Sequence, residues 1–296
     1  TQCGCKRCSR PWSLLNAVQI GKKSFCVIGN PVSHSLSPIM HTVAIKKYDL
    51  NAEYNFYELP SNLTQDGLKS WAVENHVTGF NVTYPFKSIA ALACDELSED
   101  SKTISAVNTI VIEHEELIGA TTDGQGFLLS LGEYKLPADV AVLGAGGAAC
   151  SIILALSKLE AVNEISVYVR NVVKAKEALL SLSKKIQIKE ISEYVDQKLI
   201  INATPLGMGN NVDQSPIKTT QYSEAFIYDT IYYPQKTRLL LEAEAKGCRT
   251  QNGLGMLAGQ AVEAFKLFFP DVISQDIGQK ECYDLMLSTA EKKLRE

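Results

Sequence analysis

The sequence predicts an α/β protein built as two α/β domains. Three observations carry that expectation. Short apolar runs of strand character alternate with helical stretches along most of the chain, which is the signature of layered strands and helices. A glycine-rich turn lies between one such run and a long apolar helical stretch. Finally, 296 residues with 46% hydrophobic content supply enough material for two cores.

The elements follow in chain order. FCVIGN reads as a buried strand, and HSLSPIMHTVAIKKY as a loop opening a helix, with Ser37 as N-cap and Pro38 in the first turn. YNFYEL, starting at Tyr54, alternates as a second strand. Residues 63–74 read as helix, 77–83 as strand, 88–97 as helix and 106–112 as strand, with a polar turn at EHEE before LIG. A second series starts after Gly124. FLLSL is helical, DVAVL is an almost wholly apolar strand, and GAGGAACSIILALSKL opens a helix. EISVYV, then NVVKAKEALLSLSKK, then IQIKEI, KLIINAT and AFIYDTIY continue the rhythm of a Rossmann-type doubly wound parallel sheet. The tail from Gly255 is mostly helical.

Composition narrows the partners. A formal net charge of −4 argues against nucleic acid, because neutralising phosphates takes a basic excess. No apolar run approaches the roughly 20 residues that span a bilayer, so no membrane partner is expected. Of eight cysteines, Cys26, Cys94, Cys150, Cys248 and Cys282 stand singly in apolar or helical stretches and read as reduced thiols in or near the core. Cys3, Cys5 and Cys8 crowd the start, but a closed zinc site wants four ligands. Residues 1–23 are therefore read as a leader without fixed structure. His34, His41, His76 and His114 lack metal-like spacing, and no metal is expected.

Gly144-Ala-Gly146-Gly147-Ala148-Ala149 fits G-x-G-x-x-A in its proper setting, after an apolar strand and opening a helix. Gly144 permits the tight turn, Gly146 lets backbone approach a pyrophosphate, and Ala149 lets helix and strand pack closely. The helix N-terminus adds partial positive charge. The next strand ends in Arg170 and Asn171, without the acid that an NAD site uses on the ribose. Arg170, with Lys174 one turn on, suits a 2′-phosphate and so NADP (NADPH). Met208 and Met256 suit either the nicotinamide surface or core filling.

NVTYPFK ends an apolar strand, turns at Pro85 and offers Lys87 outside the dinucleotide unit. GNPVSHSLSP, GFNVTYPFK, SAVNTI, TDGQGF, GAGGAA, INATPLGM and GLGMLAGQA occur in that order, and together they resemble the shikimate dehydrogenase family (shikimate and quinate dehydrogenases). The resemblance runs from about Phe25 to the C-terminus. It implies that Lys87 and Asp123 serve acid–base chemistry as a unit. It implies a substrate carboxylate at Ser35 and Ser37, ring hydroxyls at Thr83 and Asn108, and substrate contact at Tyr232 and Gln260. It also puts Thr204, Met208 and Gly253 at the cofactor. Thr121 replaces the Asn common in the family's N-T-D-G, and the flanks of Arg170 depart from its N-R-T or N-R-S.

The expected organisation is a leader (1–23), a substrate-binding domain (24–123), a Rossmann domain for NADP (124–252) and C-terminal helices (253–296) packing back on the substrate domain, with Gly124 and Gly253 near hinges. The expected activity is reversible reduction of 3-dehydroshikimate to shikimate in the cytoplasm, by a monomer or homodimer. An NAD-preferring quinate/shikimate dehydrogenase and a non-catalytic ligand sensor stay open as alternatives.

Overall fold

A computed structural model describes residues 21–179, 182, 185–218, 224–273 and 278–296. Cys3, Cys5, Cys8 and most of the expected leader lie outside the described residues. Two six-stranded sheets organise the chain. The first contains β1 (Lys23–Gly29), β2 (Ala52–Glu58), β3 (Gly79–Val82), β4 (Glu96–Leu97), β5 (Thr109–Glu113) and β6 (Glu116–Ala120), in the order β2-β1-β3-β5-β6-β4. Here β1 runs parallel to β2 and β3, while β5 is antiparallel to β3 and β6. His114 and Glu115 both take positive φ, as a two-residue hairpin between β5 and β6 requires.

The second sheet contains β7 (Asp139–Leu143), β8 (Glu164–Val169), β9 (Ile186–Glu190), β10 (Leu199–Asn202), β11 (Phe226–Asp229) and β12 (Arg249–Gln251). Every pairing in it is parallel, in the order β12-β11-β10-β7-β8-β9. That is the doubly wound dinucleotide-binding order, with its switch point between β7 and β10. Alternate residues explain why these strands are apolar throughout. Val140, Val142, Ile165 and Val167 enter one core, whereas Ala141, Leu143, Tyr168 and Ile200 enter the core on the other face.

Helices α1 (Ser37–Lys47), α9 (Leu254–Phe268) and α10 (Gln279–Arg295) cover one face of the first sheet. Met40, Ala44, Phe265, Cys282 and Met286 share a core there with Phe25 and Val27 of β1. The C-terminal helices thus pack against the start of the described chain. Helix α5 (Asp123–Leu131) lies between α6 (Gly147–Ser157) and α9. A Cβ on Gly124 would stand 2.4 Å from the Ser151 carbonyl oxygen, one on Gly126 2.3 Å from the Gln260 nitrogen, and one on Gly259 2.4 Å from the Gly126 carbonyl oxygen. Only glycine allows backbones that close. Both Gly124 and Gly253, expected near hinges, owe their identity to such close approach.

Several local expectations are corrected. Ser37 is the first helical residue of α1, not its cap; Leu36 caps without a side-chain bond, and Ser35 Oγ accepts from the Ser37 amide. The helix expected over 88–97 is α3 (Lys87–Ala93), because Cys94 turns extended and Asp95 accepts from the Leu117 amide, drawing β4 onto β6. Helix α4 (Glu99–Ile104), capped by Ser98, and the short β12 went unanticipated. The five described cysteines are free, and burial pushes Cys94 and Cys282 up to about 12 and Cys150 to about 11. Among the described residues no helix is long and apolar enough to cross a membrane.

His41 is the least ordinary core residue. It is fully buried, stacks on Tyr54 with ring centroids 4.1 Å apart, and has no hydrogen-bond partner on either ring nitrogen. Burial holds its pKa at about 3, far below the ordinary 6.5. The unfolded chain takes up this proton near pH 6.5 and the folded chain only near 3, so stability held at neutral pH drains away as pH falls through that window. Urea denaturation at pH 7 and pH 4 is expected to show a loss that shrinks in His41→Leu; an unchanged loss would reject this source. Separately, Gly259→Ala is expected to destabilise the fold by about 1–3 kcal/mol through overpacking. Wild-type stability of that variant would contradict the described contact between α5 and α9.

Candidate active site

Strand β3 delivers the lysine. Past Val82, Thr83 still bonds the Ile28 carbonyl, Phe86 is wholly buried, and α3 begins at Lys87. The backbone of Lys87 is itself anchored, since its carbonyl accepts from the Val107 amide. The Lys87 ammonium donates to Asp123 Oδ2 at 2.5 Å, with the carboxylate side chain only 8% exposed and the lysine 22%. Asp123 opens α5, where the helix dipole favours negative charge. Its other oxygen, Oδ1, accepts from Asn108 Nδ2 at 2.9 Å. Asn108 also takes the Thr122 amide on its Oδ1 at 2.8 Å and approaches Gln260 Oε1 at 3.5 Å. Lys87, Asp123, Asn108 and Gln260 thus form one hydrogen-bonded group.

No hydrogen bond joins the other expected substrate residues, Ser35, Ser37, Thr83 and Tyr232, to this group. Parallel β1 and β3 end at the same edge, so the chain carrying Ser35 and Ser37 leaves beside the chain carrying Thr83. Thr83 packs on Gly29, whose absent Cβ would lie 2.5 Å from the threonine methyl. Ser37 is buried and Ser35 half-buried at the start of α1. Tyr232 is half-buried against the core shared by β1 and α9, and burial raises its phenol.

The glycine turn faces the lysine. A Cβ on Gly147 would stand 3.4 Å from Lys87 Cδ. Gly144 takes φ +106°, and a side chain there would press on Ala203 and Thr204. The space around Gly146 is open within 4 Å, and α6 begins there with no side chain capping its first amides. Ala148 and Ala149 fill the first turn, Ala149 wholly buried. Arg170 and Lys174 are exposed beyond β8, and Asn171 holds that turn by accepting the Lys174 amide. A positive-φ glycine, an open second glycine, an uncapped helix start and two free-standing cations fit a phosphorylated dinucleotide. Met208 is exposed, whereas Met256 is buried in the core and serves packing.

Residues outside the expected set complete the frame. Asn202 accepts from both the amide and the hydroxyl of Thr204, and donates to Asp229 at 3.0 Å. Asp229 also accepts from Thr237 Oγ1 and the Ile231 amide, and burial lifts its carboxyl to about 6. Ile231 in turn accepts from the Gly253 amide, where a Cβ would meet the Thr230 carbonyl at 1.9 Å. One carboxylate therefore holds both the Thr204 loop and the segment leading to Tyr232. Thr121 pairs with Ser151 through their hydroxyls at 2.9 Å. The signal missed in sequence was a polar residue ending an apolar strand, as in LIIN and FIYD.

Known proteins resemble this chain over most of its length. The pattern describing the shikimate dehydrogenase substrate binding domain matches residues 27–110. A shikimate dehydrogenase (NADP(+)) of Pyrococcus abyssi is 40% identical over 257 residues, covering 84% of this chain and 94% of its own. Its counterpart in Caldicellulosiruptor saccharolyticus is 37% identical over 263 residues, covering 85% and 94%. The crystal structure of a Thermus thermophilus shikimate 5-dehydrogenase in complex with NADP(H) and shikimate superposes with a TM-score of 0.78 at 31% identity, covering 91% of this chain and 99% of that one. The chain belongs to the shikimate dehydrogenase family.

Proposed function

We propose that this chain catalyses the reversible, NADP-dependent reduction of 3-dehydroshikimate to shikimate, with Lys87 and Asp123 as its proton-transfer pair. The observation that carries the reading is the 2.5 Å contact between these side chains, directly opposite the glycine turn. The dinucleotide, when bound, supplies the hydride or takes it back. The protein must then handle the accompanying proton. As the substrate carbonyl becomes an alkoxide, the Lys87 ammonium gives it a proton, and in the reverse direction the amine recovers it. Asp123 orients the ammonium and balances its charge, and is itself held by Asn108.

The surrounding groups match the substrate chemically. Ser35 and Ser37 offer hydroxyls and helix-start amides to the carboxylate. Thr83, Asn108, Tyr232 and Gln260 offer donors and acceptors to the ring hydroxyls. The glycine turn, Thr204, Met208 and Gly253 line the dinucleotide side, and Arg170 with Lys174 receives the 2′-phosphate. Residues 24–123 act as the substrate domain, 124–252 as the NADP domain, and 253–296 as a brace returning to the former. The same proposal makes this a cytoplasmic enzyme of aromatic amino acid precursor biosynthesis, monomeric or homodimeric.

Turnover of shikimate and quinate, each with NADP and NAD, tests the reading; shikimate with NADP is expected to dominate. Lys87→Ala should keep its NADP affinity and fold but lose about 10² or more in kcat. Near-wild-type turnover in that variant would remove Lys87 from the chemistry. Arg170→Ala should weaken NADPH binding far more than NADH binding, and equal weakening of both would dismiss the 2′-phosphate role.

A further inference from the structure

Three buried polar side chains, in three different strands, lead from the core of the first sheet to Asp123. Tyr54 lies in β2, Asn81 in β3 and Thr109 in β5, and none is more than 5% exposed. They share a face of the sheet. Tyr54 belongs to the core under α1 and α9, Gly79 two residues before Asn81 abuts Phe268 of that core, and Asn81 lies directly opposite Thr109. A polar group in such a place is expensive unless bonded, so its bonds are informative.

The bonds run in one direction. An amide oxygen carries no hydrogen, so the Tyr54 hydroxyl donates to Asn81 Oδ1, at 2.6 Å. Asn81 Nδ2 donates to Thr109 Oγ1 at 2.9 Å and to the Asn108 carbonyl at 3.2 Å. A carbonyl only accepts, which fixes the Asn81 amide independently of Tyr54. The Thr109 hydroxyl, having accepted, sends its own hydrogen to Asn108 Oδ1 at 3.1 Å. With that oxygen occupied, Asn108 Nδ2 is turned to Asp123 Oδ1. Asp123 Oδ2 is then the oxygen left for Lys87. His41, stacked flat on the Tyr54 ring, forms no hydrogen bond that could divert the tyrosine hydroxyl.

We infer that Tyr54, Asn81 and Thr109 are positioning residues for the reaction, setting through Asn108 which oxygen of Asp123 meets the lysine. The inference rests on Lys87 and Asp123 being the proton-transfer pair. The Thr122 amide also holds Asn108, so breaking the chain weakens the alignment without abolishing it.

The test is steady-state kinetics, NADP affinity and thermal denaturation of Thr109→Val, Thr109→Ser, Tyr54→Phe and the Tyr54→Phe/Thr109→Val double variant, beside Lys87→Ala. Thr109→Val is expected to lower kcat about threefold to tenfold, the scale of one neutral hydrogen bond, with NADP affinity unchanged. Thr109→Ser, which keeps the hydroxyl, should restore kcat. The double variant should fall no further than Thr109→Val alone, because valine has already cut the chain. Wild-type kcat in Thr109→Val, failure of serine to restore it, or losses that simply add in the double variant would each overturn the inference. If Thr109→Val does not fold, Tyr54→Phe decides: a reduced kcat at unchanged NADP affinity supports the chain, and a wild-type kcat ends it. Full turnover in Lys87→Ala would instead bring down the proton-transfer reading on which the chain depends.

Discussion

The site depends on how closely α5 can approach its two neighbours. Asp123 is the first residue of α5, and its usefulness requires a fixed position relative to a lysine on another segment. Gly124 lets the first turn rest on the Ser151 carbonyl of α6, and Gly126, at the end of that turn, lets it rest on α9 at Gly259 and Gln260. A methyl group at any of these points would separate backbones by more than a side-chain rotation could absorb. The helix that presents the carboxylate is therefore clamped on two sides within its first four residues. Gln260, brought in by the same contact on α9, reaches Asn108 from the opposite direction.

Beside that clamp, buried amides orient their neighbours. Asn108 satisfies Thr122, Thr109 and Asp123 together, and Asn202 with Asp229 does the equivalent for the Thr204 loop. In both cases an amide at or beside a strand end bonds a carboxylate and a loop backbone at once. Such centres are dear in desolvation, yet once satisfied they specify a single arrangement. His41 is the contrast: it is buried without polar partners and stays neutral, contributing shape and ring contact.

What could be read from the sequence follows the range of the physics. The glycine turn was legible because its demands are local: a left-handed residue, room for a phosphate and a small residue for helix packing all lie within six positions. The parallel second sheet was legible from strands apolar on both faces. The meeting of Lys87 with Asp123 joins residues 36 apart in the chain, and no local pattern encodes it; the family resemblance pointed to it. Asn81 and Thr109 stayed hidden because a strand register decides which side chains share a face. Ser37 misled for a similar reason: its type and position suit a cap, but the preceding serine supplies the oxygen that bonds its amide.

Gly147 carries a consequence of another kind. A Cβ added to it would stand 3.4 Å from Cδ of Lys87, at ordinary contact distance. The turn and the lysine stem thus have room for one methyl group between them, and a longer side chain at 147 would displace the arm that carries the ammonium. Crowding introduced in the turn would therefore be felt at the lysine, and a shift of the lysine stem at the turn.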